Sequence, residues 1–248
     1  MQELFHQLSR SRVIDLAQSW FAGMPHWPTH PPFAMARTKE HGDYVLEGGV
    51  SSAAELVTLG THVGTHIDGL GHFSCGGRLY AGRSMEEAGI DRVGPIVRRG
   101  VWMDAAPGGE LAESEVIGVE ALERGLSAPV GSGDVVLIRT GWGRRWKDAR
   151  RFVNEQRQPG IGVEAARWLS ARGVFAVGAD NVALERIPSP RMEVHLHLLV
   201  ESGVHILECL NLEELAAAGA REFVFVGAPL KVEGATGAPL RPFALVKQ

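Results

Sequence analysis

Four side chains suited to holding metal or moving protons crowd the eleven positions from His62 to His72. They read H-x3-H-x-D-x3-H: His62, His66, Asp68 and His72. His62 and His66 are four apart, so one helical turn would place both on the same face. Asp68 shares that face only if the chain leaves the helix, and Gly64, Gly69 and Gly71 permit irregular backbone there. Two imidazoles and a carboxylate suit a borderline divalent ion, Zn²⁺ or Mn²⁺. Three protein ligands leave such an ion open to water, which it turns into a nucleophile near neutral pH. His72, one short step further on, is a candidate proton carrier. A lone histidine is more often an ordinary core or surface residue. Four ligand-type residues at this spacing, set among small residues, are more than packing requires.

A second group lies between Met192 and Cys209: Glu193, His195, His197, His205 and Glu208. If Val204–Glu208 is a strand, Val204, Ile206 and Glu208 point to one side and His205 to the other. A carboxylate on the side of two core residues is costly unless it is paired or binds metal. Glu208 is therefore the better ligand candidate, and His205 is expected at the surface. Spacing alone does not rank His195 against His197.

The elements that must position these groups alternate along the chain. Strands are expected at Arg12–Leu16, within Tyr44–Thr61, at Pro95–Met103, Asp134–Arg139, Val174–Ala179, Val204–Leu207 and Phe223–Val226. Helical spacing marks Ser114–Arg124, Gly162–Arg172 and Leu212–Ala218, while the basic run Arg144–Arg151 reads as a solvated helical face. Ser84 to Ala88 forms a short helix with Ser84 and Glu87 as a capping box. The proline-rich stretch from Gly23 to Pro32 is a loop, and Trp27 within it is either a lid over a hollow or a plug on the core. Arg139-Thr140-Gly141-Trp142-Gly143 turns at a strand end, where α/β sheets tend to place binding residues. Strands interleaved with helices over the whole length indicate one α/β domain spanning residues 1–248.

Composition narrows the classes further. The 248 residues are 45% hydrophobic and 22% charged, ordinary for a globular enzyme. A formal net charge of −4 provides no basic footprint for nucleic acid. No apolar run reaches the roughly 20 residues that span a bilayer. Residues 1–20 lack a signal-peptide layout, and two cysteines are too few for a disulfide framework, so a cytoplasmic protein is expected. Cys75 and Cys209 are both expected to be small buried residues rather than nucleophiles.

These motifs carry a resemblance. The chain resembles the metal-dependent cyclase family of hydrolases, which includes kynurenine formamidases and isatin hydrolases. His62, Gly64, Thr65, His66, Asp68 and His72 match its pattern H-x-G-[TA]-H-x-D-x-x-x-H. His195 with Leu198-Leu199, then Gly203-Val204 and Ile206-Leu207-Glu208, match its second motif. Similar stretches at Val13–Leu16, Met24–Pro28, Arg139–Trp142, Gly178–Asp180 and Ala228–Lys231 extend it over nearly the full chain. The resemblance implies a swivelling β/β/α fold and assembly as a homodimer or homotetramer. It implies that His62, His66 and Asp68 bind one zinc, with His195 on a second zinc and Asp68 and Glu208 shared. One manganese is the pattern of the isatin hydrolases. It assigns catalysis to His72 and substrate contact to Trp27.

The chain departs from the family at Gly69-Leu70-Gly71 in place of Ala-Pro, at Cys209, and at Asp180-Asn181-Val182-Ala183. The reaction expected is hydrolysis of a small amide, an aryl formamide such as N-formylkynurenine or a cyclic amide such as isatin. A lactone or ester hydrolase is the nearest alternative, and a metal-binding module without turnover is another. His72 argues against the last, since a binding-only site needs no proton carrier.

Overall fold

The computed structural model describes residues 1–153, 155 and 157–247. Its strands, in chain order, are β1 (Ser11–Asp15), β2 (Ala34–Lys39), β3 (Ala54–Thr58), β4 (His66–Asp68), β5 (Ile96–Asp104), β6 (Val116–Ile117), β7 (Val135–Arg139), β8 (Gly160–Ile161), β9 (Ala176–Ala179), β10 (His205–Glu208), β11 (Glu222–Gly227), β12 (Gly237–Pro239) and β13 (Phe243–Lys247). Nine of them form one mixed sheet in the order β1-β13-β11-β5-β7-β9-β10-β4-β12. The centre, β5-β7-β9-β10, is parallel, and β7 and β9 within it are buried on both faces, which is why those two read as near-continuous apolar runs.

Alternation along β7 divides the core. Val136 and Ile138 face one layer, with Leu122, Ala166, Leu169 and Leu198. Val135 and Leu137 face the other, with Ile14, Ile67, Leu215 and Phe225. The helices are α1 (Gln2–Ser9), α2 (Met85–Ala88), α3 (Val119–Gly125), α4 (Ala149–Val153), α5 (Val163–Ser170), α6 (Glu193–His195) and α7 (Glu213–Ala218). α6 runs on into π-helical turns over Leu196–Ser202. Ser84 caps α2 with the full reciprocal box to Glu87, as its spacing predicts. Among the described residues no helix is long and apolar enough to cross a membrane.

Several elements differ from the sequence reading. Residues 61–65 are turns, not a helix, and His66 opens a strand instead. Helix α3 starts only at Val119, because Val116 and Ile117 pair with β8. The basic run is not one solvated helix. A 3₁₀ turn (Trp142–Arg145) precedes α4, and Arg145 lies over the Trp142 ring at 3.6 Å while pairing with Glu110 at 2.6 Å. The turn after β7 presents structure rather than ligand groups. Arg139, 1% exposed, binds Asp104 and Glu213, and Asp180 accepts hydrogen bonds from the backbone N–H groups of Thr140 and Gly141. Only β3 arises from Tyr44–Thr61, and its partner β2 had no clear sequence signal.

Candidate metal centre

Strand β4 carries the site because its alternation separates ligands from core. His66 and Asp68 point to one face, and Ile67 is fully buried against the other. β4 pairs antiparallel with β10, placing Glu208 directly opposite His66. On its other edge β12 sets Gly237 opposite Asp68, and the absent side chain at Gly237 leaves room for the His62 ring. Gly69 is needed in the same way: a Cβ there would come within 2.8 Å of the Thr236 carbonyl, to which the Gly69 N–H donates.

Carboxylates and imidazoles converge on one buried point. His66 Nε2 lies 3.3 Å from Asp68 Oδ1 and 3.4 Å from Glu208 Oε2. His195 Nε2 lies 3.2 Å from Glu208 Oε1 and 3.9 Å from Asp68 Oδ2. His62 Nδ1 approaches Asp68 Oδ1 at 2.6 Å, and its Nε2 meets the Thr236 hydroxyl at 2.8 Å. Three buried atoms at this point, His66 Nε2, Asp68 Oδ2 and Glu208 Oε1, have no hydrogen-bond partner.

The ring orientations explain why a cation fits. His66 Nδ1 donates to the Gly64 carbonyl at 2.7 Å, and His195 Nδ1 donates to Glu185 at 2.7 Å. Each neutral ring then turns the lone pair of Nε2 toward carboxylate oxygens, an arrangement that only a proton or a metal ion relieves. Without an ion, protons fill that role. Burial acts to lower the His66 pKa, but Asp68 and Glu208 outweigh it and raise it to about 10. His195 is likewise raised to about 10, against burial, by Glu185 and Glu208. Imidazole and carboxylate donors so arranged fit a divalent ion.

Above this point is a cavity of about 230 Å³. Trp27, Phe73, Val182, Ala183 and Met192 give it apolar walls, and His30, His62, His72, His195 and Glu208 also reach it. Trp27 both lines the cavity and packs on the apolar cluster beneath, so the lid and plug readings each hold in part. Burial lowers the His72 pKa to about 4, so this ring is neutral at pH 7.

The remaining sequence candidates fall elsewhere. His197 turns away, with Nδ1 2.7 Å from Glu201 and Nε2 2.8 Å from Ser170. His205 is on the face opposite Glu208 as its alternation requires, yet it is buried rather than at the surface. Its ring packs against that of Phe175, with centroids 5.1 Å apart, and donates to the Asp68 carbonyl at 3.0 Å. Cys209 is buried as expected, but Cys75 is exposed, because it sits in a tight turn bridged to Arg78. Three neighbours escaped the sequence reading: His30, Glu185 and Thr236. None lies in a ligand-spaced motif, and only the fold brings them to the site.

Fold and side-chain cluster together define a cyclase-type protein. The Cyclase family model matches residues 14–186, and the chain belongs to that family. An isatin hydrolase of Roseibium aggregatum is 27% identical, over 77% of this chain and 73% of its own. A kynurenine formamidase of Bacillus cytotoxicus is 25% identical, over 94% of this chain and 97% of its own. Among solved structures, one described as a novel cyclase superposes with a TM-score of 0.86 at 28% identity, covering 99% of this chain and 90% of that one. Isatin hydrolase A from Ralstonia solanacearum superposes at 0.78 with 27% identity, over 99% and 96%.

Proposed function

We propose that this chain is a metal-dependent hydrolase of a small amide with a flat, ring-bearing body. The observation that carries this reading is the meeting of His66, Asp68, His195 and Glu208 beside a small aromatic-walled cavity that His195 and Glu208 line. His62, His66 and Asp68 would hold one divalent ion, Zn²⁺ or Mn²⁺. Asp68, His195 and Glu208 would hold a second where two are present. An ion held there polarises the amide carbonyl and makes water nucleophilic near neutral pH.

The chain's own groups do the rest. Trp27 and Phe73 line the cavity and would pack on a planar substrate, and the cavity's small volume suits a body of one or two rings. His72, neutral and directed into the cavity, accepts the proton of the attacking water. It then returns that proton to the nitrogen as the C–N bond breaks, so the products are a carboxylate and an amine. Glu185 holds His195 in the tautomer whose Nε2 faces Asp68 and Glu208. Self-association as a dimer or tetramer, and work in the cytoplasm with both cysteines free, belong to the same reading.

The test is turnover by protein loaded with Zn²⁺ or Mn²⁺, using N-formylkynurenine, isatin and simple lactones in parallel. Cleavage of an amide in preference to the lactones is expected. Cleavage of lactones alone would move the enzyme to the ester class. Full metal content with no turnover of any of them would leave a binding module.

A further inference from the structure

Another cavity, of about 240 Å³, shares no lining residue with the one beside the metal centre. Its charged lining is one-sided: Arg83, Arg92 and Arg98 stand around it against the single carboxylate of Glu87. That carboxylate is already committed, because Oε2 accepts from the Ser84 N–H at 2.9 Å to complete the cap of α2. The chain as a whole has a net charge of −4, so this hollow runs against the overall balance. A recess lined by one sign of charge concentrates ions of the other.

The three arginines differ in what already holds them. Arg92 pairs with Glu86 at 3.5 Å and with Asp91 at 3.4 Å. Arg83 and Arg98 are in no ion pair among the described residues. Arg83 lies over the Tyr80 ring at 5.5 Å. Arg98 lies over Phe175 at 4.1 Å, and its Nη1 donates to the Gly133 carbonyl at 3.3 Å. Ring faces and a carbonyl orient a guanidinium without neutralising it.

The cavity also reaches His205, which is only 7% exposed. Its Nδ1 donates to the Asp68 carbonyl, so in the neutral ring Nε2 is an acceptor. Nε2 has no hydrogen-bond partner among the described residues and is not sealed from solvent. Burial lowers the pKa of this ring, and Arg83 and Arg98 act in the same direction, which puts both guanidiniums within electrostatic reach of it. An anion that fits must offer oxygens to guanidiniums and a proton to Nε2. Hydrogen phosphate does both, whereas carboxylate and sulfate have no proton to give near neutral pH.

We propose that this cavity is a binding site for hydrogen phosphate, held by Arg83 and Arg98, with His205 Nε2 accepting from its P–OH. Arg92, partly neutralised by its own carboxylates, adds to the field. The site stands apart from the amide chemistry proposed above and adjoins it through the His205–Asp68 hydrogen bond.

Isothermal titration calorimetry of the metal-loaded chain with inorganic phosphate, at constant ionic strength, tests this whether or not any substrate turns over. Saturable binding is expected. Arg83→Gln and Arg98→Gln should each weaken it about ten- to a hundredfold, the usual effect of losing a hydrogen bond to a charged group. Both side chains are exposed, and thermal unfolding of each variant checks that the fold persists. Sulfate should bind about tenfold more weakly or worse, since it leaves Nε2 without a donor. Near pH 7 a phosphate monoester has mostly lost its P–OH, so glycerol phosphate should also bind more weakly than the free ion. Phosphate held by the metal ion instead would bind both variants as tightly as the parent, and that result overturns the proposal. So does sulfate or glycerol phosphate binding as tightly as phosphate, or a titration that shows no saturation by about 10 mM.

Discussion

The imidazole of His72 lies face to face on that of His62, with ring centroids 3.7 Å apart and planes within 20° of parallel. Such close stacking tolerates at most one positive charge, and burial keeps His72 neutral with a pKa of about 4. A neutral ring over the site is equipped to take a proton and pass it on. His72→Ala should retain metal and fold while turnover falls roughly a hundred- to ten-thousand-fold. Elemental analysis beside steady-state rates checks this. His72 also groups with His62 and Asp68 as possible ligands within 4.8 Å, so loss of metal in the variant would make it a ligand instead.

Glu185 supports His195 from behind. Its carboxylate is 2% exposed and accepts from both the backbone N–H and Nδ1 of His195, at 3.2 and 2.7 Å. Glu185→Gln keeps the shape but can present an amide N–H where the ring needs an acceptor. Metal affinity should fall about ten- to a hundredfold, the usual effect of losing such an outer partner. Chelator competition measures it, and an unchanged affinity would remove Glu185 from the site.

Trp27 stands between cavity and core. Trp27→Ala should raise KM about two- to tenfold, the worth of one aromatic contact, with kcat less affected and Tm lowered only slightly. A large fall in Tm with unchanged KM would make Trp27 a plug alone.

The metal-free protein should lose stability as pH rises from about 6.5 to about 10. The folded-state pKa values of His66 and His195 are raised to about 10 from an ordinary 6.5. Folding therefore takes up protons in that window, and its contribution is complete below 6.5 and lost above 10. An ion in the site replaces those protons, so Zn²⁺ or Mn²⁺ should flatten the slope. Urea midpoints against pH, with and without metal, decide it. A metal-free protein whose midpoint is level from pH 6.5 to 10 would contradict the proton-filled site.

In the sequence alone, His62, His66, Asp68, His72 and Glu208 stood out as candidate ligand and proton-carrying groups, because residue type and spacing are local properties. It also determined the buried strands Val135–Arg139 and Ala176–Ala179, whose apolar runs have few other uses. Resemblance, not spacing, chose His195 over His197. In the structure His195 turns its Nε2 toward Asp68 and Glu208, while His197 is bonded to Glu201 and Ser170. What the sequence left open depends on which strands become neighbours. His66 lies in a strand rather than a helix because β4 is held between β10 and β12, and a three-residue segment has too little periodicity of its own to announce this. Phe175 packs on His205, whose alternation predicted its face but not what covers it. Glu185 and Thr236 reach the cluster through long-range packing that no local pattern encodes. Of the two strands of the β2–β3 ribbon, β3 fell within a stretch expected to hold strands, whereas β2 was illegible for the opposite reason. Strand periodicity is a record of burial, and a ribbon exposed on both faces of its own chain leaves no such record.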